Sequence, residues 1–202
     1  MQSGNRRFIS GTPHHPRQDV ERRNEIAAEQ HPEVALFGCS DSRLSAEIIF
    51  DKGLGDLFVV RNAGQVISSS VIGSLEYAVD VLGVPLVVVL SHDNCGAVSA
   101  AISQTLPGAP PLPAHIKGIT DAITDAVHRV RLGRGLDSAA GLDPTEVGRE
   151  HLKDTVSGLL EASELISEAV AAGTLGIVGA NYTLAEGLVT PHVMIGALEN
   201  SV

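Results

Sequence analysis

Tryptophan is missing from this sequence, and aromatic residues of every kind make up only 3% of its 202 residues. Hydrophobic residues nonetheless reach 44%, so a core must be assembled from Val, Leu, Ile and Ala. Aliphatic cores of that kind suit parallel strands with helices over both sheet faces. Cysteine is scarce too: two in the chain argue against a disulfide scaffold and raise thiol chemistry or metal binding instead. Positive charge is in deficit, since 14 Lys and Arg against 24 Asp and Glu leave a net charge of −10. Nucleic acid and anionic membrane surfaces, which call for a basic footprint, are therefore poor partners. Long apolar runs are also wanting. The longest strongly apolar one, Val84 to Leu90, is far too short to span a bilayer, and the opening residues MQSGNRRFISG lack the apolar stretch of a secretory signal. A cytoplasmic protein built on one domain is the expectation.

What the chain does have is a repeated unit. Val34 to Phe37 is a short apolar run that delivers the polar stretch Gly38-Cys39-Ser40-Asp41-Ser42-Arg43, after which Leu44 to Phe50 resumes with helical spacing. Leu57 to Val60 leads through Arg61 to Gly64 into a helix expected over Ser70 to Leu82. Leu86 to Leu90 leads through Ser91-His92-Asp93-Asn94-Cys95-Gly96-Ala97 into an Ala-rich helix. Three strand, loop and helix units in succession are the mark of βαβ structure, and right-handed crossovers put all three loops on one edge of the sheet. Cys39 and His92 can therefore meet despite the sequence between them. Further on, His115 to Leu132 reads as a helix, and Glu146 to Ala171 as one long helix whose apolar stripe runs through Leu152, Val156, Leu159, Ser163, Ile166 and Val170. Leu175 to Val178 is a fourth strand and Leu188 to Ile195 a fifth, joined so briefly that the last is an antiparallel edge strand. The fold class is thus α/β, a mostly parallel central sheet flanked by helices with an antiparallel edge. Residues 1–33, polar and with helical periodicity around Val20 to Glu29, form an arm, and 34–202 a single domain.

Both cysteines follow predicted strands, and His92 stands three residues before Cys95. Two sulfurs and one imidazole suit zinc, and three protein ligands leave a fourth tetrahedral position open, as catalytic rather than structural sites do. His115, His128, His151 and His192 lie in no comparable loop context. Two inert buried thiols, or a redox or nucleophilic cysteine, remain alternatives on spacing alone. Asp41 and Arg43 alternate with Cys39 as a pair able to form charge-assisted, bidentate hydrogen bonds; the plainer reading is a salt bridge that pins the loop.

Taken together, Cys39-Ser40-Asp41-Ser42-Arg43, Arg61-Asn62-Ala63-Gly64 and His92-Asp93-Asn94-Cys95-Gly96-Ala97 resemble the β-class carbonic anhydrases, in particular the bacterial branch related to the plant enzymes. The likeness extends from Asn5-Arg6-Arg7-Phe8 to Gly173-Thr174-Leu175-Gly176 and beyond. It implies one zinc per chain on Cys39, His92 and Cys95, with Asp41 and Arg43 as the catalytic dyad. Gln30, Phe58 and the Gly96 backbone N–H would contact the substrate. The implied reaction is reversible hydration of carbon dioxide to bicarbonate and a proton by zinc-bound hydroxide. A homodimer, possibly a homotetramer, is implied, with the 1–33 arm packing on the partner subunit. The allosteric branch of the family uses a Trp, so its absence implies the non-allosteric branch. Members carry more helix ahead of the Asn5 to Phe8 segment, so Met1 reads as a late or trimmed start. Two alternatives stand beside this reading: a CS2 or COS hydrolase on the same scaffold, and a non-catalytic zinc protein.

Overall fold

The computed structural model describes residues 1–196, so 197–202, the end of the expected 34–202 domain, lie outside the described residues. Five strands form one sheet in the order β2-β1-β3-β4-β5. They are β1 (Val34–Cys39), β2 (Leu57–Asn62), β3 (Leu86–His92), β4 (Gly176–Thr183) and β5 (Leu188–Gly196). The pairs β1 with β2, β1 with β3 and β3 with β4 are parallel, and β4 with β5 is antiparallel. The expected architecture is therefore the observed one.

Burial explains the strand sequences. Every residue of β1 and β3 is buried, as strands covered on both faces require, whereas β5 alternates exposed and half-buried residues as an edge strand does. A register shift between Gly179 and Ala180 lets β5 carry Pro191, which has no N–H to give a central ladder. Helices α5 (Gly96–Gln104) and α6 (Ala114–Gly133) cover one sheet face, packing Val98, Ile102, Ile123 and Val127 against Leu36, Val88 and Leu90. The other face receives α4 (Ser69–Glu76), α7 (Pro144–Ala162) and α8 (Glu164–Ala171) through Leu75, Leu152, Leu159 and Ile166, set against Phe37, Val87 and Ile177.

Several boundaries differ from the sequence reading. The long helix expected over Glu146 to Ala171 is two helices, because Ser163 leaves helical geometry (φ −129°, ψ 105°) and its hydroxyl caps α8 by accepting the Ile166 N–H. The apolar stripe continues through the break, which hid it. The helix expected to end at Leu82 is α-helical only to Glu76 and widens into a π turn over Tyr77–Val81. The Leu44 to Phe50 segment shortens to α3 (Ala46–Ile49), and the Val20 to Glu29 stretch to α2 (Val20–Glu25). The fourth strand runs on to Thr183.

Within the arm a further helix forms, α1 (Gln2–Ile9), and it docks on its own chain. Asn5 is buried there, its amide donating to the carbonyls of Ile49 and Gly187 and its oxygen accepting from Val189 N–H. Two buried carboxylates strap down the arm beyond α1. Asp51 accepts from Arg7 and from the backbone N–H groups of His14 and His15, and Asp56 pairs with Arg17 and accepts from Gly53 N–H. Among the described residues no helix is long and apolar enough to cross a membrane.

Candidate metal centre and active site

The connection from β1 turns to one side of the sheet, to β2, and the chain then crosses back to β3 on the other side. Cys39 ends β1 and His92 ends β3, so the two flank the switch point where α/β sheets open a crevice beyond their strand ends. Cys95 follows as the N-cap of α5. The ligand atoms of Cys39, His92 and Cys95 all lie within 4.8 Å of one another, and all three residues are buried. Neither cysteine is in a disulfide.

Each donor is prepared for a cation. His92 Nδ1 lies 2.7 Å from the Asp93 carbonyl, and donating there leaves the Nε2 lone pair facing the sulfurs. Buried Nε2 has no hydrogen-bond partner among the described residues, an expensive omission unless something else engages it. Burial lowers the His92 pKa, but the adjacent Cys39 sulfur more than offsets this and raises it overall. Between the sulfurs a shared hydrogen bond lowers Cys39 to about 4 and, with burial, raises Cys95. A divalent cation touching both sulfurs replaces that shared proton and favours two thiolates. Two sulfurs and one imidazole form a soft donor set that fits zinc, with a fourth position left over.

Asp41 stands beside this cluster, its Oδ2 4.0 Å from His92 Nε2. Arg43 holds it in a two-pronged grip: Nε donates to Oδ1 at 2.8 Å and Nη2 to Oδ2 at 2.7 Å, while the Arg43 backbone N–H donates to Oδ1 at 3.0 Å. The guanidinium holds the Asp41 carboxyl well below the usual carboxylate range, so it is ionised at any physiological pH. Gly96, exposed, opens α5, where a first-turn N–H has no intrahelical acceptor and points to any oxygen brought to the helix end.

The structure thus brings Cys39, His92, Cys95, Asp41 and Arg43 together, with Gly96 adjoining. Gln30 and Phe58 lie elsewhere in the chain. Phe58 pairs with Ala35, four residues ahead of Cys39, about 13 Å along the strand. Its ring sits 6.1 Å from that of Tyr77. Gln30 is exposed and lines, with Ile26, Tyr77 and Val81, a cavity of about 570 Å³ to which no residue of the metal cluster contributes.

Several residues without a role in the sequence reading shape the site. Arg61 clamps the Cys39 to Asp41 loop from β2, its Nε donating to the Cys39 carbonyl at 2.9 Å and Nη2 to the Asp41 carbonyl at 2.6 Å. Asp93 ties the site to the β4–β5 turn by accepting from Leu184 N–H at 2.8 Å. Gly64 N–H donates to the Cys39 sulfur at 3.4 Å. Gly64 adopts φ +75°, and a Cβ there would lie 2.8 Å from the Ala97 methyl, so glycine alone fits. The signal for Arg61 and Gly64 was the Arg-Asn-Ala-Gly motif itself, which spacing alone left without a function.

Comparison with known proteins agrees with this geometry. The family model described as carbonic anhydrase matches residues 34–189. "Carbonic anhydrase 2" of Mycobacterium tuberculosis is 46% identical over 206 residues, covering 100% of this chain and 94% of that protein. A carbonic anhydrase of Mycolicibacterium smegmatis is 47% identical over 197 residues, covering 97% and 92%. Among solved structures, a Coccomyxa β-carbonic anhydrase in complex with acetazolamide superposes with TM-score 0.71 at 27% identity, covering 88% of this chain and 80% of that one. A tetrameric β-carbonic anhydrase of Sordaria macrospora shares the fold with TM-score 0.76 at 21% identity, covering 96% of both. A strand-end Cys, His, Cys cluster on a mostly parallel sheet could hold a metal ion. The chain belongs to the β-carbonic anhydrase family, and it is an enzyme of that kind.

Proposed function

We propose that this chain hydrates carbon dioxide reversibly to bicarbonate and a proton at one zinc ion per chain, held by Cys39, His92 and Cys95. The observation that carries the reading is the convergence of three buried soft donors within 4.8 Å beside an ionised carboxylate that an arginine holds in place. Zinc, when bound, acidifies water to supply the nucleophile, less strongly behind two thiolates than behind three neutral imidazoles, so activity rises toward alkaline pH. Asp41, ionised and fixed, would accept a hydrogen bond from the attacking oxygen and orient its lone pair toward the substrate carbon. Arg43 keeps Asp41 at this post by giving both its oxygens charge-assisted hydrogen bonds that hold it away from the metal position. Gly96 N–H orients a substrate oxygen.

Gln30 and Phe58 serve the substrate pocket of a second copy, since neither approaches the cluster of its own chain. A homodimer follows, in which the later part of the 1–33 arm meets the partner. Tyr77 and Val81, 45% and 60% exposed beside Gln30, offer that contact an apolar surface.

Stopped-flow assay of the zinc-loaded protein against carbon dioxide, CS2 and COS tests the reading. Fast hydration of carbon dioxide with slow turnover of the sulfur compounds is expected; the reverse preference would transfer the site to the hydrolase chemistry. Light scattering at micromolar concentration should give a dimer or larger, and a clean monomer would remove the partner role of Gln30 and Phe58.

A further inference from the structure

Behind the metal centre lies a histidine that the proposed reaction does not use. His151 is on α7, 3% exposed, and its Nε2 lies 2.8 Å from the carbonyl oxygen of Gly64, a residue 87 positions away. Burial, which outweighs the Gly64 hydrogen bond, lowers its pKa and keeps the ring neutral. A neutral ring next to a carbonyl donates from Nε2, and the buried Nδ1 is left with no partner among the described residues. The ring is therefore placed for one bond, at the expense of its other nitrogen.

That bond falls on a loop of uncommon backbone conformation. Gly64 and Gln65 have consecutive left-handed conformations, φ +75° and +41°, and a non-glycine residue in that region is uncommon. Asn62 closes the loop by donating to the Val66 carbonyl and accepting from its N–H. Two groups of α7 reach its middle: His151 on the Gly64 carbonyl, and the Thr155 hydroxyl, whose single proton is divided between the Gln65 carbonyl at 3.3 Å and the His151 carbonyl at 3.0 Å. Among the described residues, the loop reaches a ligand side chain by one hydrogen bond, Gly64 N–H to the Cys39 sulfur at 3.4 Å. A hydrogen bond to a thiolate draws charge from the sulfur and fixes its direction, and such partners of ligands tune both affinity and electronic structure.

We propose that His151 is a positioning residue of the metal centre: by holding the Gly64 carbonyl from α7, it keeps the Gly64 N–H aimed at the Cys39 sulfur. The proposal rests on the metal reading above. It differs from ordinary core packing in what it demands of the side chain, a donor at the Nε2 position rather than a shape.

The test uses the full chain with cobalt(II) as the probe, read by the thiolate-to-cobalt charge-transfer absorption and by competition with a chromogenic chelator. His151→Met, which keeps bulk and loses the donor, should weaken cobalt binding about 10- to 100-fold and shift the charge-transfer band. His151→Gln, whose amide nitrogen stands the same number of bonds from Cβ as Nε2, should restore both. Leu159→Ala, a fully buried truncation on the same helix, should lower the melting temperature and leave band and affinity at the parental values. Folded His151→Met with parental band and affinity would overturn the proposal, as would a Leu159→Ala band shifted equally. Should His151→Met fail to fold, His151→Asn, whose amide is one bond too short, is expected to shift the band, and a parental band in that folded variant overturns the proposal. Failure of the parent chain to bind cobalt would defeat the metal centre itself, and this proposal with it.

Discussion

Asp41 and Asp51 are both carboxylates gripped by an arginine, and they differ in what surrounds the rest of the group. Asp51 is buried at the foot of α3, and its oxygens are taken by Arg7 and by the N–H groups of His14 and His15. Among the described residues it belongs to no cluster of metal-ligating side chains. Asp41 is held by Arg43 from one side, and on the other it lies 4.0 Å from a buried imidazole nitrogen that has no hydrogen-bond partner among the described residues. The same charge-assisted chemistry therefore makes a strap in one place and a poised acceptor in the other. Each carboxylate accepts from three N–H groups, so the ligand cluster beside Asp41 decides which.

The largest effect should come from removing what Asp41 faces. Cys39→Ser should lower the zinc content, measured by elemental analysis, from about one per chain to a small fraction and abolish hydration. Zinc retained at parental level would mean that the cluster is not the metal site. Arg43→Ala comes next, since it frees Asp41 to turn onto the open metal position while zinc stays bound. Activity of the metal-loaded variant should fall more than about tenfold, equivalent to more than about 1.4 kcal/mol of transition-state stabilisation; near-parental turnover would reduce the pair to a loop pin.

Asp51→Asn should leave the zinc content and turnover of the folded enzyme unchanged and cost about 2 kcal/mol of stability at neutral pH, read by thermal or urea unfolding. Burial alone would raise the Asp51 pKa, but the His14 N–H and Arg7 outweigh it and bring it down to about 2. That is below the value near 3.9 of an unfolded Asp, so its contribution is complete above about pH 4 and is lost as pH falls through about 2. Parent and variant should converge in stability over that window. A gap that stays constant down to pH 2 would show that the carboxylate charge is not what holds the arm. The smallest effect belongs to Phe58→Ala, which should keep zinc bound and weaken catalysis; parallel loss of zinc would mean that packing had been mistaken for a pocket role.

How much of this was legible in the sequence depends on the kind of signal each feature leaves. The parallel order of β1, β2 and β3 was readable because buried strands are continuous apolar runs, each followed by a polar loop. The ligands stood out because the chain has only two cysteines and one of them follows a histidine by three residues. Asp41 and Arg43 were visible by alternation with Cys39. The break at Ser163 was not, because Ser163 occupies a stripe position and its capping role depends on where α8 turns. Docking of α1 was hidden for a similar reason: Asn5 looks solvent-facing until the carbonyls of Ile49 and Gly187 are brought to it. His151 was one of several histidines without a loop context, and its bond to Gly64 exists only through tertiary contact.

The central claim is that catalysis requires zinc on the Cys39, His92 and Cys95 cluster. The most direct measurement is a titration of metal-stripped protein with zinc, followed by stopped-flow hydration of carbon dioxide at each addition. Activity should be absent without metal, rise in proportion to zinc and level off at about one ion per chain. Full activity in the stripped protein, or none at one zinc per chain, would contradict the account.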